Sequence, residues 1–184
     1  DVVLWGTAAG DNAGIAVSGG GDLNGDGFDD IVVGAKNEST AASTAGAAYV
    51  IYGGDLPEEM TLDMADVVLT GESAADKGGR MVRIVHDVND DDDADLLVAA
   101  PSADPSGDAS GKVYINFGGG ISGSLSDADV IFSGDYGYNY AGLGLAGGDF
   151  NEDGDGDVLI GAPGNDLGGS NRGTVYVIYG PIVS

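Results

Sequence analysis

An all-β fold is what this chain of 184 residues predicts, on three observations. Gly supplies 35 residues, about a fifth of the total, and only five of the 31 acids are Glu, a composition that favours turns and disfavours long helices. The apolar stretches are short, rich in Val, Ile, Tyr and Leu, and bounded by Gly or Asp, as strands are. Those stretches recur in tandem, as three copies of one unit.

Each unit opens on an apolar strand, DVVLWG at 1–6, which returns as DVVLTG at 66–71 and DVIFSG at 129–134. A short second strand follows at Ala13 to Ser18, Arg80 to Val85 and Gly142 to Ala146. Next comes an acidic segment running into a third strand: DLNGDGFDDIVVGAK at 22–36, DVNDDDDADLLVAAP at 87–101 and DFNEDGDGDVLIGAP at 149–163. The fourth strand is GAAYVIYGG at 46–54, GKVYINFGG at 111–119 and GTVYVIYG at 173–180. The acidic segments start 65 and then 62 residues apart, so 1–184 reads as one domain with repeats 1–65, 66–128 and 129–184. In the last copy Val175, Val177 and Tyr179 share one face and Tyr176 and Ile178 the other, so both faces are expected to be buried. Tandem four-stranded antiparallel units that cannot bury both faces alone predict the blades of a β-propeller.

Charge removes whole classes of function. Six basic residues stand against 31 acids, a net charge of −25, which repels phosphate backbones and anionic headgroups, so no nucleic acid is expected as a partner. No run approaches the ~18 apolar residues of a membrane span, and the first residues lack a basic-then-apolar leader pattern. No membrane insertion is expected. The absence of Cys removes disulfides, thiolate zinc sites and thiol nucleophiles.

The acidic segments align as D-x-N-x-D-x-x-x-D: Asp22, Asn24, Asp26, Asp30; Asp87, Asn89, Asp91, Asp95; Asp149, Asn151, Asp153, Asp157. Alternate oxygen-bearing side chains on a curled backbone suit Ca²⁺, which takes six to eight hard oxygen ligands. Position seven, occupied by Phe28, Asp93 and Asp155, would add its backbone carbonyl. Gly27 and Gly154 supply a left-handed turn at position six, whereas the second loop carries Asp92 there and is expected to be strained. Position twelve is Val33, Val98 or Ile160, where an EF-hand needs a bidentate Glu, so this is a different loop that feeds a strand. Three Ca²⁺ sites, one per repeat, are expected; the plainer alternative is three acidic turns.

With these loops, and with the ends Gly34-Ala35-Lys36, Ala99-Ala100-Pro101 and Gly161-Ala162-Pro163, the chain resembles over its whole length the FG-GAP repeats of the integrin α-subunit β-propeller. The resemblance implies three four-stranded antiparallel blades, a loop joining a blade's first two strands that binds Ca²⁺, and an extracellular or cell-surface setting. Departures are Ala13-Gly14, Gly78-Gly79 and Ala141-Gly142 where the family has Phe-Gly, and Lys36 in place of Pro. In the family plan the DVVL-type strand is the outermost strand of the preceding blade. Val2 to Trp5 then has no blade of its own, and the third blade lacks an outer strand. Three blades make a partial ring. Either further blades complete it, or copies of the chain pair by edge-strand complementation into a homo-oligomer.

No nucleophile elbow, P-loop, H-E-x-x-H or dinucleotide motif is present, and the lone His86 sits where the other copies have Gly21 and Gly148. The chain is therefore read as non-catalytic. The expected function is a calcium-binding module for adhesion or protein recognition. The alternatives are a self-assembling structural protein and a propeller accessory to a carbohydrate- or lipid-active enzyme. Tyr136, Tyr138 and Tyr140 would serve a glycan ligand, or pack between blades. The acids left over outside the loops fit either a high-salt habitat or general solubility.

Overall fold

The computed structural model describes residues 1–166 and 172–183, so 167–171 and 184 of the third repeat lie outside the described residues. In chain order the strands are β1 (Val3–Trp5), β2 (Ala13–Gly19), β3 (Ile31–Ala35), β4 (Ala47–Ile51), β5 (Glu59–Thr61), β6 (Val67–Thr70), β7 (Met81–Val85), β8 (Asp95–Ala100), β9 (Lys112–Asn116), β10 (Val130–Ser133), β11 (Gly144–Gly148), β12 (Asp157–Ala162) and β13 (Thr174–Ile178). They form the expected antiparallel blades: β2-β3-β4-β6, β7-β8-β9-β10, and a third sheet of three strands, β11-β12-β13. The outer strand of blade one, β6, belongs to the second sequence repeat, and β10 of blade two belongs to the third.

Register repeats with the sequence. Val33 pairs with Val17 and Tyr49, Val98 with Val82 and Tyr114, and Ile160 with Leu145 and Tyr176. Alternation along the central strands gives each blade two apolar faces. One core joins Val32, Val50 and Leu69 of blade one to Ile84, Val98 and Tyr114 of blade two. A second joins Leu97, Val113 and Ile115 of blade two to Val158, Ile160 and Ala162 of blade three. Inner strands β2, β7 and β11 lie side by side in that order. The tyrosine at the centre of each blade turns its hydroxyl to the loop behind the DVVL-type strand. Tyr114 donates to Glu72 at 2.9 Å, Tyr176 donates to Asp135 at 2.9 Å, and Tyr49 meets Thr7 at 3.5 Å.

Two features differ from the sequence expectation. β1 is not unpaired: it lies parallel to β5, Val3 against Glu59 and Trp5 against Thr61. The same contact recurs where Thr70 bridges Ser124, so β1 stands to blade one as β6 stands to blade two. A short 3₁₀ turn follows each of these partners, Leu62–Met64 and Leu125–Asp127, and buries its leucine. The other difference lies on β13. Val175, Val177 and Tyr179 are 63, 45 and 57% exposed, where burial on both faces was expected. The matching residues Val113 and Ile115 of blade two are covered by blade three, and among the described residues no blade covers blade three in turn.

Candidate functional site: three acidic loops

Each acidic segment joins the first two strands of its blade, β2 to β3, β7 to β8 and β11 to β12. The closing aspartate of each loop is fully buried and bridges it to the turn after the third strand of the blade. Asp30 accepts from the amides of Leu23 and Gly53, both at 2.7 Å. Asp95 accepts from Val88 at 2.6 Å and Gly118 at 2.9 Å, and Asp157 from Phe150 at 2.7 Å and Gly180 at 3.0 Å. Burial pushes the Asp30 carboxyl up, against the pull of its two amides. Asp95, for the same reason, is pushed up to about 6.

The opening aspartate has the opposite environment. Asp22 accepts from Gly25 at 2.8 Å and Gly27 at 2.7 Å, Asp87 from Asp90 at 2.6 Å and Asp92 at 2.7 Å, and Asp149 from Gly154 at 3.0 Å. The Gly27 amide, foremost among the Asp22 donors, holds that carboxyl below the usual range. Burial works against ionisation of Asp87, yet its four loop amides together also leave it lowered. The turn is left-handed at position six, with Gly27 at φ 91°, Asp92 at 74° and Gly154 at 104°. Asp92 thus carries the backbone strain expected of it. Position four is left-handed as well, at Gly25, Asp90 and Glu152.

Between these ends the middle residues lie together. The side-chain amides of Asn24, Asn89 and Asn151 donate to Asp26, Asp91 and Asp153 at 3.0, 2.7 and 2.6 Å. The backbone amides of Phe28, Asp93 and Asp155 donate to the same three carboxylates at 2.9, 3.0 and 3.0 Å. Phe28 is exposed. Asp93 and Asp155 have raised carboxyls, by desolvation first and then by neighbouring carboxylates, Asp91 for one and Asp153 for the other. A cleft of about 440 Å³ lies between the loops, walled by Asp22, His86, Asp87, Asp93, Asp149 and Asp155.

Whether these residues suit a hard cation can be judged from their donors. Among the described residues no three acidic or histidine side chains converge on a common point, because the carboxylates are turned onto loop amides. The donor set itself is all oxygen. Oδ1 of Asn89 is buried without any hydrogen-bond partner, while the matching oxygens of Asn24 and Asn151 accept from Asp26 and Asp153, each at 3.2 Å. An orphaned buried carbonyl oxygen among carboxylates is what a cation ligand needs. The chemistry of the set fits Ca²⁺.

Sequence reasoning missed the left-handed position four, because only Gly25 of the three is a glycine. It also left the tyrosine tract open. Tyr136 and Tyr138 are exposed, and the Tyr138 hydroxyl donates to Asp108 at 2.9 Å.

The family model described as FG-GAP repeat matches residues 13–51, 82–116 and 141–178, the stretches from the inner to the third strand of each blade. The phosphatidylinositol-glycan-specific phospholipase D of Homo sapiens is 35% identical over 170 residues, 89% of this chain and 20% of that protein. The enzyme of the same name from Dictyostelium discoideum is 30% identical over 177 residues, 86% of this chain and 19% of that protein. Integrin alpha-6 of Gallus gallus is 30% identical over 142 residues, 77% of this chain and 12% of that protein. The chain thus spans about a fifth of the length of the phospholipase D relatives. Among the described residues no helix is long and apolar enough to cross a membrane. With three matched repeats coinciding with three blades, the chain belongs to the FG-GAP repeat family.

Proposed function

We infer that this chain is a calcium-binding, non-catalytic propeller segment, in an extracellular or cell-surface setting, that serves adhesion or protein recognition. The observation that carries the reading is the repetition of one oxygen-rich loop at one end of all three blades, with the unpartnered Asn89 Oδ1 inside it. Ca²⁺ would be held by the side chains of Asp22, Asn24, Asp26 and Asp30 and the carbonyl of Phe28. The second site would use Asp87, Asn89, Asp91, Asp93 and Asp95, and the third Asp149, Asn151, Asp153, Asp155 and Asp157. The ion supplies charge neutralisation and a fixed loop shape. The chain's own residues supply a buried anchor in Asp30, Asp95 and Asp157 and a turn that presents the remaining oxygens.

Calorimetric titration with CaCl₂ tests the reading, with three equivalents bound as the expected result; absence of binding overturns it. The similarity to the phospholipase D proteins favours a second reading, that such a segment accompanies a lipid-active enzyme. The chain alone is expected to release no product from a phosphatidylinositol-glycan substrate, and turnover would remove the non-catalytic assignment.

A further inference from the structure

The acidic loops lead into β3, β8 and β12, and the far ends of those strands run into a second set of loops, where the central tyrosine of each blade meets polar groups. Matching turns make these loops equivalent. The amide of Glu38 donates to Ala35 at 3.0 Å and its carbonyl accepts from Gly46 at 2.9 Å, as Ala103 does with Ala100 and Gly111, and Asn165 with Ala162 and Gly173. In the same register Ala47, Lys112 and Thr174 pair with Ala35, Ala100 and Ala162. Thr7, Glu72 and Asp135 meet the tyrosine hydroxyls, and Asp11, Asp76 and Asn139 follow four residues later.

Blades two and three bring an N–H donor to this cluster. The Lys112 ammonium bonds Glu72 at 2.6 Å. Burial raises the Asp76 carboxyl, and Lys112 is the foremost charge opposing that rise. In blade three the side-chain amide of Asn165 donates to the Tyr176 hydroxyl at 3.1 Å, and that hydroxyl donates to Asp135 at 2.9 Å. Blade one has neither donor: Ala47 stands where blade two has its lysine, and Glu38, an acceptor, stands where blade three has its asparagine.

Glu38 is 5% exposed and Asp11 9%. Oε1 of Glu38 accepts from the Thr40 amide at 2.7 Å, whereas Oε2 is buried with no hydrogen-bond partner. The Thr7 hydroxyl donates to Asp11 at 3.0 Å and lies 3.5 Å from the Tyr49 hydroxyl. Burial first pushes the Tyr49 hydroxyl up, and Glu38 and then Asp11 are the leading charges beside it. Asn37 fastens the two loops together, its amide donating to the Asp11 carbonyl at 3.2 Å and its side chain to that of Gly10 at 3.1 Å. Among the described residues no lysine or arginine lies within ion-pair distance of Glu38 or Asp11. A buried carboxylate oxygen with neither donor nor counter-charge is costly. All of these groups lie within residues 7–49, and in blades two and three the corresponding partners come from the same two loops of one blade. No neighbouring blade is called on to complete the set.

We propose that blade one holds a monovalent cation of potassium or ammonium size among Glu38, Asp11, Thr7 and Tyr49, where blade two sets the Lys112 ammonium. A potassium ion matches an ammonium in charge and in radius. Ca²⁺ takes six to eight oxygens, and this cluster offers two hydroxyls and two carboxylates that each have one oxygen already bonded. The site shares no residue with the acidic loops, so its failure leaves the calcium reading untouched.

Calcium-saturated protein melted at constant ionic strength, in potassium chloride and in tetramethylammonium chloride, tests it. The acidic loops stay filled throughout, and the net charge of −25 is screened alike in both salts. With potassium at several times its Kd, the melting temperature should be about 2 to 4 °C higher than in tetramethylammonium, which is too large to enter. Glu38→Gln, which sets an amide where blade three has one, should abolish that difference and melt in tetramethylammonium at or above the wild type. Asp11→Asn should shrink the difference, and Glu59→Gln, at an exposed acid, should keep it. Thallium(I) soaked into crystals of the calcium-bound chain should give an anomalous peak beside Glu38 Oε2 that excess potassium removes. Equal melts in the two salts, a difference that survives Glu38→Gln, a Glu38→Gln loss of the same size in both salts, or a calcium ion in place of the thallium peak would overturn the proposal.

Discussion

The amide of Ala94 donates to the carbonyl of Asp22 across the first blade junction, at 2.9 Å. Asp22 opens the first acidic loop, and Ala94 stands in the second, one residue before its closing Asp95. Gly156 donates to the carbonyl of Asp87 at 2.8 Å and repeats the link at the second junction. The loops are thus fastened backbone to backbone, and whatever holds the shape of one supports its neighbour.

Calcium removal should therefore destabilise the blades together. A site with a Kd of ~10⁻⁴ M at ~10 mM calcium adds about 2.7 kcal/mol, or roughly 5 to 10 °C of melting temperature for a chain of this size. Scanning calorimetry in calcium and in chelator is expected to show one transition that moves down by at least that amount, without splitting into three. A melt unmoved by chelator would count against a structural ion.

The two kinds of loop aspartate should separate on mutation. Asp95→Ala strands the buried-side amides of Val88 and Gly118, at about 1 to 3 kcal/mol each. Urea melts in chelator should record a loss of about 3 kcal/mol. Asp91→Ala removes only exposed contacts, so the same melts should move little while calcium affinity at that loop falls.

Glu72 supplies a pH test away from the loops. It bonds Lys112 at 2.6 Å and accepts from the buried Tyr114 hydroxyl, and the Lys112 contact foremost holds its carboxyl below the usual range. A depressed folded value means that its contribution is present above the unfolded value and lost as pH falls through the folded one. Glu72→Gln should cost about 1 kcal/mol at neutral pH, the screened worth of a partly exposed pair and one charged hydrogen bond. The gap between wild type and variant should narrow progressively as melts are taken below the ordinary Glu value of about 4.3.

Two alanine substitutions at equivalent glycines should differ. At Gly34 a methyl group meets the Gly79 carbonyl at 2.0 Å, and the blade junction must shift; the expected loss is about 2 to 3 kcal/mol. At Gly161 it meets, among the described residues, only Gly144 at 3.5 Å, and stability should change by less than about 0.5 kcal/mol. Denaturant midpoints of the two variants decide this.

Much of the architecture was readable because its signals are local. The central strands sit between Gly and Asp and carry their own β-forming residues, and the loop ligands lie within nine residues of one another. What escaped depends on neighbours distant in sequence. Nothing within GTVYVIYG distinguishes a covered Val113 from an uncovered Val175, since burial there is decided by the adjoining blade. β5 escaped for another reason: Glu59–Thr61 buries only Met60, too brief an alternation to register as a strand. The bond from Ala94 to Asp22 joins two backbones, and backbone groups leave no mark on composition.

The displacement between sequence repeat and blade means that the unit copied by duplication and the unit that folds are out of step by one strand. β6 and β10 interlock their neighbours as overlapping tiles do. A cut at either repeat boundary would strip one blade of its margin and leave the next fragment holding a strand with no sheet to join. Growth or loss of such an array is tolerable only in whole periods, and its stability is carried by the overlaps as much as by the tiles.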